Sequence, residues 1–565
     1  METSAVFRPF ARIPSSRKND DYNKAAFRNH AGLILIMPQS FFLVSSALAA
    51  ILVSLGLKSL NDRRRRNYPP GPPPSGFITG HMKDIPDKKP WVTYNKWAKE
   101  YGTVCLHARV VGKLTVVVIA GDIVHLEALG DHLILLNNLE AANELLEKRS
   151  RIYSSRPYAE AGKITGWSFH PGLIPYSDEW RQSRRTHQQI FRRLAVEEML
   201  RPSITLCANA LVERLFEEPE KFQDHLYVYS ASPVLRIMYG IVVASTDDPL
   251  LRIAVKAIHT LDQAMHPKFV TMLAWCPFIP NIPKWVPFFG PMRAFIEQTR
   301  GYIDALRNEP LKHAEEDVVG GHKFLQFTGA HKFARKKAGR ENDSIVANVL
   351  RRSIAQGGHS ADEVERIKNV ASGSFVASAD TTLSSVTTFF LAMTRKPDFQ
   401  AKAQKEIDEV IGRDRLPTYE DRKALPYIEA IYREVMRWHP PGPLGGAHMN
   451  TEDDIYKDYY IPKGSLVMGN IWAITRDERR YGPDTDAFNP ERFFDANGKL
   501  NDDNLIVAFG FGRRVCAGRH LADAVVWLTI ATVLACFKIN KPKDPETGKE
   551  MDVPESYSDG PGVFR

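Results

Sequence analysis

The residues with the most chemical potential lie in Phe509-Gly510-Phe511-Gly512-Arg513-Arg514-Val515-Cys516-Ala517-Gly518-Arg519-His520-Leu521-Ala522. The first half is a glycine-rich loop and the second opens an amphipathic helical pattern, so Cys516 falls at or just before a helix N-terminus. Unpaired backbone N–H groups and the positive end of the helix dipole favour a thiolate there and lower the thiol pKa. Gly512 and Gly518 let backbone approach a ligand closely, and Arg514 offers a fork of donors to a carboxylate. The bland alternative is a core cysteine beside an exposed basic loop.

Other groupings gain meaning only beside that loop. Ala377-Ser378-Ala379-Asp380-Thr381-Thr382 lies inside an apolar helical run from Lys368 to Thr394. An acid followed by a hydroxyl is costly there without a role, although Ser and Thr can bond back to the i−4 carbonyl. Glu434 and Arg437, at i, i+3, share a helix face upstream of Asn489-Pro490-Glu491-Arg492-Phe493. Trp180 and Arg184, four apart, can reach one ligand from a single helix, and His448 stands 13 residues before Ile461 of the Ile-Pro-Lys-Gly turn.

The pattern Phe-x-x-Gly-x-Arg-x-Cys-x-Gly is complete, with five specified positions in ten. On these residues the chain resembles the cytochrome P450 family, with the motifs in the expected order from anchor to near the C-terminus. The resemblance implies that Cys516 is the proximal thiolate of haem b, which pushes electron density onto iron and favours O–O cleavage. It implies that Phe509 packs beside the ligand loop and that Gly518 completes it. Arg514, Trp180, Arg184 and His448 become propionate partners, and Glu434, Arg437 and Arg492 a buried structural triad. Thr381 hydrogen-bonds dioxygen and Asp380 takes part in proton delivery. By resemblance the reaction is insertion of one oxygen atom into an apolar small molecule. Electrons come from NADPH through cytochrome P450 reductase, with cytochrome b5 as a second candidate donor. Trp438-His439-Pro440-Pro441-Gly442-Pro443-Leu444-Gly445 and Ser154-Ser155-Arg156-Pro157 are similar to the fungal secondary-metabolism group around O-methylsterigmatocystin oxidoreductase.

The elements that must position these residues read as mainly helical with a minor sheet. Apolar residues recur at three- and four-residue spacing over Leu139 to Lys148, Ala195 to Glu217, Lys368 to Thr394 and Asp421 to Trp438, and Tyr456 to Met468 is the best strand candidate, turning at Pro462-Lys463-Gly464. The pocket walls expected by resemblance are the Tyr158 to Ile174 loop, Phe375 and Val376, and Leu444 to Gly446. Ahead of this body lie a polar leader over 1–30, an uncharged run of 27 residues from Ala31 to Leu57, and a basic, proline-rich linker over 58–76. The run is long enough for one transmembrane helix, with Arg63 to Arg66 against anionic head groups; a cleaved signal peptide is the competing reading. The expected organisation is therefore leader, anchor, linker and a catalytic domain over 77–565, on the cytosolic side of the endoplasmic reticulum membrane.

Composition bounds the alternatives. A net charge of +9 admits nucleic acid, membrane or an acidic protein, but no finger, helix-turn-helix or aromatic-basic stripe points to nucleic acid. Arg513 and Arg519 are candidates for docking an acidic reductase. The five cysteines have no CxxC spacing, which argues against a disulfide framework or a structural zinc site. Two rival functions remain, a haem-thiolate isomerase or dehydratase needing no reductase and a non-catalytic membrane haem protein. Three stretches depart from the family pattern. Thr103 to Gly121 reads as retained intron translation or as a genuine extra hairpin, Val318 to Arg340 lengthens a connection and reads as retained intron translation or as a real insertion, and the C-terminus stops short of the last strand pair. Ser378 also stands where glycine is usual.

Overall fold

The computed structural model describes residues 66–76, 79–101, 104–110, 113–119, 122–128, 130–157, 159–287, 289–325, 343–356, 361–555 and 557. The chain divides at Asn67 and Tyr68 into two units, and the second carries the elements below. The expected leader and anchor and residues 58–65 of the linker lie outside the described residues, as do residues 326–342 and 558–565. Among the described residues, one helix, Arg519–Cys536, is long and apolar enough to cross a membrane; its most apolar window is 67% buried, and it is the core helix of this body.

Helices dominate, as expected, and the longest central one is Ala361–Arg395. Its many Ser and Thr residues do not break it, because their hydroxyls bond back to carbonyls one turn earlier: Thr381 to Ala377 at 2.7 Å, Ser385 to Thr381 at 3.0 Å, Thr387 to Leu383 at 2.8 Å. Ser378 bonds to the Phe375 carbonyl at 3.2 Å, and the helix runs through it unbroken. Around it pack the helices Phe222–Tyr239 and Arg519–Cys536. The expected single helix from Asp421 to Trp438 is split. A 3-10 turn, Tyr419–Ala424, gives way at Leu425 to the helix Pro426–Trp438, since Pro426 has no N–H and steers the preceding residue out of helical geometry.

Among the described residues the strands form three sheets, not one. β1 (Val104–Val110) and β2 (Lys113–Ile119) make an antiparallel hairpin, the form anticipated for Thr103 to Gly121 from its β-prone residues. β3 (Ile123–Ala128), β4 (Asp131–Leu136), β8 (Leu466–Gly469) and β5 (His448–Met449) form a four-stranded sheet in the order β3-β4-β8-β5. The β4–β8 pair is parallel, so this sheet ties the two ends of the helical body together. β6 (Asp454–Tyr456) and β7 (Tyr459–Ile461) pair separately. Their turn is at Lys457 and Asp458, both at positive φ of 48° and 67°; the expected turn at Pro462-Lys463-Gly464 instead passes the chain from one sheet to another.

Candidate active site

The cysteine loop is shaped by what lies behind it. Gly512 adopts φ +56°, and a Cβ there would stand 2.1 Å from the Leu146 carbonyl oxygen, so only glycine lets the loop seat on the Asn143–Lys148 turn. The Gly512 N–H donates to Glu147 at 2.6 Å, and the Cys516 N–H donates to the Phe509 carbonyl at 2.8 Å. Gly518 is the N-cap of Arg519–Cys536, so Cys516 lies two residues before the cap. Its side chain opens into a cavity of about 220 Å³, whose walls also include Gly373, Ala377, Ser378 and Thr381 of the long helix.

The expected low thiol pKa is not what the protein alone provides. Burial pushes the Cys516 thiol up, and a backbone hydrogen bond from Gly518 and the charges of Arg184 and Arg519 pull against it without winning. Desolvation outweighs the dipole here because protein surrounds the sulfur, although Cys516 keeps an exposed surface inside the cavity.

Trp180 and Arg184 reach the same cavity, as their spacing suggested. Ser177 caps the helix Asp178–Phe191 by accepting from the Trp180 N–H at 3.2 Å, which fixes Trp180 in the first turn. The Arg514 guanidinium lies 4.2 Å from the Trp180 ring centroid and donates to the carbonyls of Ser154, Pro171 and Ile174 at 2.7, 3.1 and 2.8 Å. Burial holds the Arg514 pKa far below the ordinary guanidinium range, with the like charges of Arg156 and Arg184 adding to the depression. Guanidinium groups do not surrender their protons at working pH, so this depression registers as a local excess of positive charge.

Other expected residues sit elsewhere. His448 does not line the cavity: it is buried, its Nδ1 is 2.7 Å from the Tyr153 carbonyl, and burial and the charge of Arg156 hold it well below the usual imidazole pKa. Phe509 contacts the loop through its carbonyl and is absent from the cavity wall. Asp380 is buried beside Thr381. Of the anticipated walls only His170, Pro171 and Gly172 line the cavity; Phe375 and Val376 point into the core and Leu444 to Gly446 lie behind Arg156. Arg513 is exposed and donates to the Tyr176 hydroxyl at 2.5 Å.

Glu434, Arg437 and Arg492 do come together. Glu434 accepts from Arg437 at 2.6 and 2.8 Å and from Arg492 at 3.2 Å; Glu434 and Arg437 are fully buried and Arg492 partly so, while Arg437 also donates to the carbonyls of Thr475 and Thr485. Sequence reasoning passed over Arg156, His187 and Ser374, all on the cavity wall, and took in His170 only as part of the Tyr158 to Ile174 loop. Arg156 stood in a stretch read only for its likeness to a subgroup, and no spacing rule marks the others.

The cytochrome P450 family model matches residues 69–555, nearly the whole described body. The chain belongs to the cytochrome P450 family. Fungal P450 monooxygenases resemble it along most of their length. It is 34% identical to cytochrome P450 monooxygenase ple1 of Rhodocybe pseudopiperita over 90% of each chain, 35% to cytochrome P450 monooxygenase COX2 of Coprinopsis cinerea over 89% of each, and 33% to cytochrome P450 monooxygenase 98 of Postia placenta over 89% of each. It is an enzyme of the P450 monooxygenase type, and the family implies a haem and electrons from a redox partner. The P450 cavity fits that group: a sulfur and small residues among its walls, and an edge of buried cations suited to carboxylates.

Proposed function

We propose that this chain is a haem b monooxygenase that inserts one oxygen atom of O2 into an apolar small molecule of fungal secondary metabolism. NADPH supplies its electrons through cytochrome P450 reductase, with cytochrome b5 as a second donor. A helix within 31–57 anchors it, and the linker over 58–76 holds the catalytic domain, 77–565, at the cytosolic face of the endoplasmic reticulum. The observation that carries the reading is that Cys516, Arg184, Arg514 and Thr381 border one cavity.

When bound, the haem supplies the oxygen-activating chemistry. Cys516 would hold it through its sulfur, and Gly518 gives that sulfur a backbone donor and leaves its approach clear, with a would-be Cβ 4.0 Å from Sγ. Trp180, Arg184 and Arg514 receive the propionates, and His448 backs Arg156 and Arg514. Phe509 holds the loop through its carbonyl bond to Cys516. Thr381 presents a hydroxyl to the cavity and parks it on the Ala377 carbonyl, from which it can turn to pass a proton, with Asp380 as the adjacent proton source. Glu434, Arg437 and Arg492 keep the fold behind the site.

The deciding measurement is the absorption spectrum of the reduced, carbon monoxide-bound protein. A thiolate ligand gives a far red-shifted Soret band, which Cys516→Ser abolishes; a normal spectrum in that variant would sink the assignment. Thr381→Ala is expected to leave this spectrum intact while product formed per NADPH consumed falls severalfold. Unchanged coupling would remove Thr381 from the proton path.

A further inference from the structure

Several hydroxyls on the cavity wall are spent within it. Ser230 donates to the Tyr227 carbonyl at 2.7 Å, Ser378 to that of Phe375 at 3.2 Å and Thr381 to that of Ala377 at 2.7 Å. Two polar groups of the same wall are not so engaged. His187 is 5% exposed, and its Nδ1 lies 2.8 Å from the Ser183 carbonyl. A carbonyl only accepts, so the ring proton sits on Nδ1 and Nε2 carries a lone pair. That Nε2 makes no hydrogen bond among the described residues, and His187 lines the cavity. The Ser374 hydroxyl, buried in the long-helix wall of the same cavity, makes none either. Burial holds the His187 pKa below the ordinary imidazole range; the Ser183 bond pulls the other way and the charge of Arg184 adds to the depression, so the lone pair stays available at working pH.

We propose that His187 and Ser374 form a hydroxyl-recognition site in this cavity, which makes the substrate class an apolar molecule that already carries an alcohol. The proposal rests on the haem-thiolate reading for the reaction; the pairing of an acceptor with a donor is a property of the polypeptide. An imidazole lone pair calls for a donor. The carboxylates of a haem are acceptors and suit the guanidinium groups of Arg184 and Arg514 instead. An alcohol is complementary to both wall groups at once: its proton goes to His187 Nε2, and its oxygen accepts from Ser374 once the serine turns about χ1. A ketone can use only Ser374, and a hydrocarbon neither. A molecule without the hydroxyl leaves buried polar groups unpaired, and that penalty is what sorts the candidates.

Ser374 and Thr381 stand seven residues apart in one helix, two turns that bring both to the same face about 10 Å apart. The carbon oxidised before Thr381 is therefore remote from the hydroxyl, and the product is a diol with well-separated oxygens. One C–H bond becomes C–OH, and the second atom of O2 leaves as water with the two electrons and two protons that the reductant and solvent supply. An earlier oxygenation or hydration must install the alcohol.

Equilibrium dialysis of the full-length, haem-loaded protein against 2-adamantanol, 2-adamantanone and adamantane tests this with one frame and three polarities. In His187→Phe, which keeps an aromatic ring without the lone pair, 2-adamantanol is expected to bind about tenfold more weakly, as for one hydrogen bond lost to a buried partner, while the ketone and the hydrocarbon change by less than about twofold. Ser374→Ala should weaken the alcohol and the ketone by about threefold each and leave adamantane alone. His187→Gln, whose amide oxygen can accept, should recover part of the alcohol's affinity.

Equal weakening of all three probes by His187→Phe overturns the proposal and leaves His187 a matter of shape. Unchanged alcohol affinity in that variant overturns it too, since Nε2 would then hold ordered water only. Ketone binding that falls as far as alcohol binding in His187→Phe would reverse the tautomer and overturn the alcohol class. If wild type binds none of the probes, the space beside His187 admits no guest and the site is refuted. Loss of the thiolate band in wild type would sink the haem-thiolate reading and leave the dialysis result standing.

Discussion

Two groups of buried arginines do opposite work in this molecule. Around Glu434, each guanidinium donor finds a carboxylate or a carbonyl, and the glutamate is fully covered by Arg437, Arg492 and the Asn489 N–H. Around the cavity, Arg514 is held by backbone carbonyls, and its charged neighbours Arg156 and Arg184 carry the same sign. The first cluster is complete within the polypeptide and serves the fold. On the proposed function, the second would gain its missing negative charge from a bound group and so serve recognition. What separates the two is whether the polypeptide itself places a carboxylate among the guanidinium groups, as it does at Glu434 and does not around Arg514.

Breaking the first cluster should give the largest effect. Glu434→Ala leaves two buried cations uncompensated and is expected to destabilise the protein by about 3–5 kcal/mol, read from denaturant unfolding with or without haem. A loss under about 1 kcal/mol would mean the cluster is not the self-contained unit described here. The second cluster should respond the other way. Arg184→Leu and Arg514→Leu are each expected to weaken haem retention about tenfold or more, measured by transfer to apomyoglobin, because a charge-assisted pair is lost. Their haem-free forms should be no less stable than wild type, since like-charge repulsion is relieved. If both variants retained haem normally, the cavity edge would not be a propionate site. The smallest effect sharpens the contrast: millimolar dicarboxylate should stabilise the haem-free wild type by up to about 1 kcal/mol through mass action. The same salt should do nothing for Arg184→Leu, and equal stabilisation of both would point to a general salt effect.

How far the sequence reveals these clusters follows from the same distinction. Cys516, Arg514, Trp180 and Arg184 were legible because each lies at a fixed offset from a loop or along one helix, where spacing translates into position. The Glu434 pair was visible as i, i+3, but its third member required the family motif. Arg156 and His187 were not legible as cavity residues, because their places arise where separate segments meet. Such a meeting is decided by tertiary packing around Gly373 and Gly446, and local pattern is silent on it. The same limit explains the strand reading. Alternation found the β6–β7–β8 region, but the left-handed turn at Lys457 and Asp458 belongs to residues with no glycine to announce it. The thiol prediction failed for another reason, since a sequence discloses a helix terminus and conceals the depth at which it lies.

The helix Arg519–Cys536 has a further consequence for how the chain is made. Late in translation it offers cellular machinery a segment with the length and greasiness of a membrane span, although its proper place is against Phe222–Tyr239 and the long helix. Biogenesis therefore depends on the earlier helices being ready to receive it. Substitutions that delay their assembly would be expressed as misrouted or aggregated polypeptide before any catalytic defect could be observed.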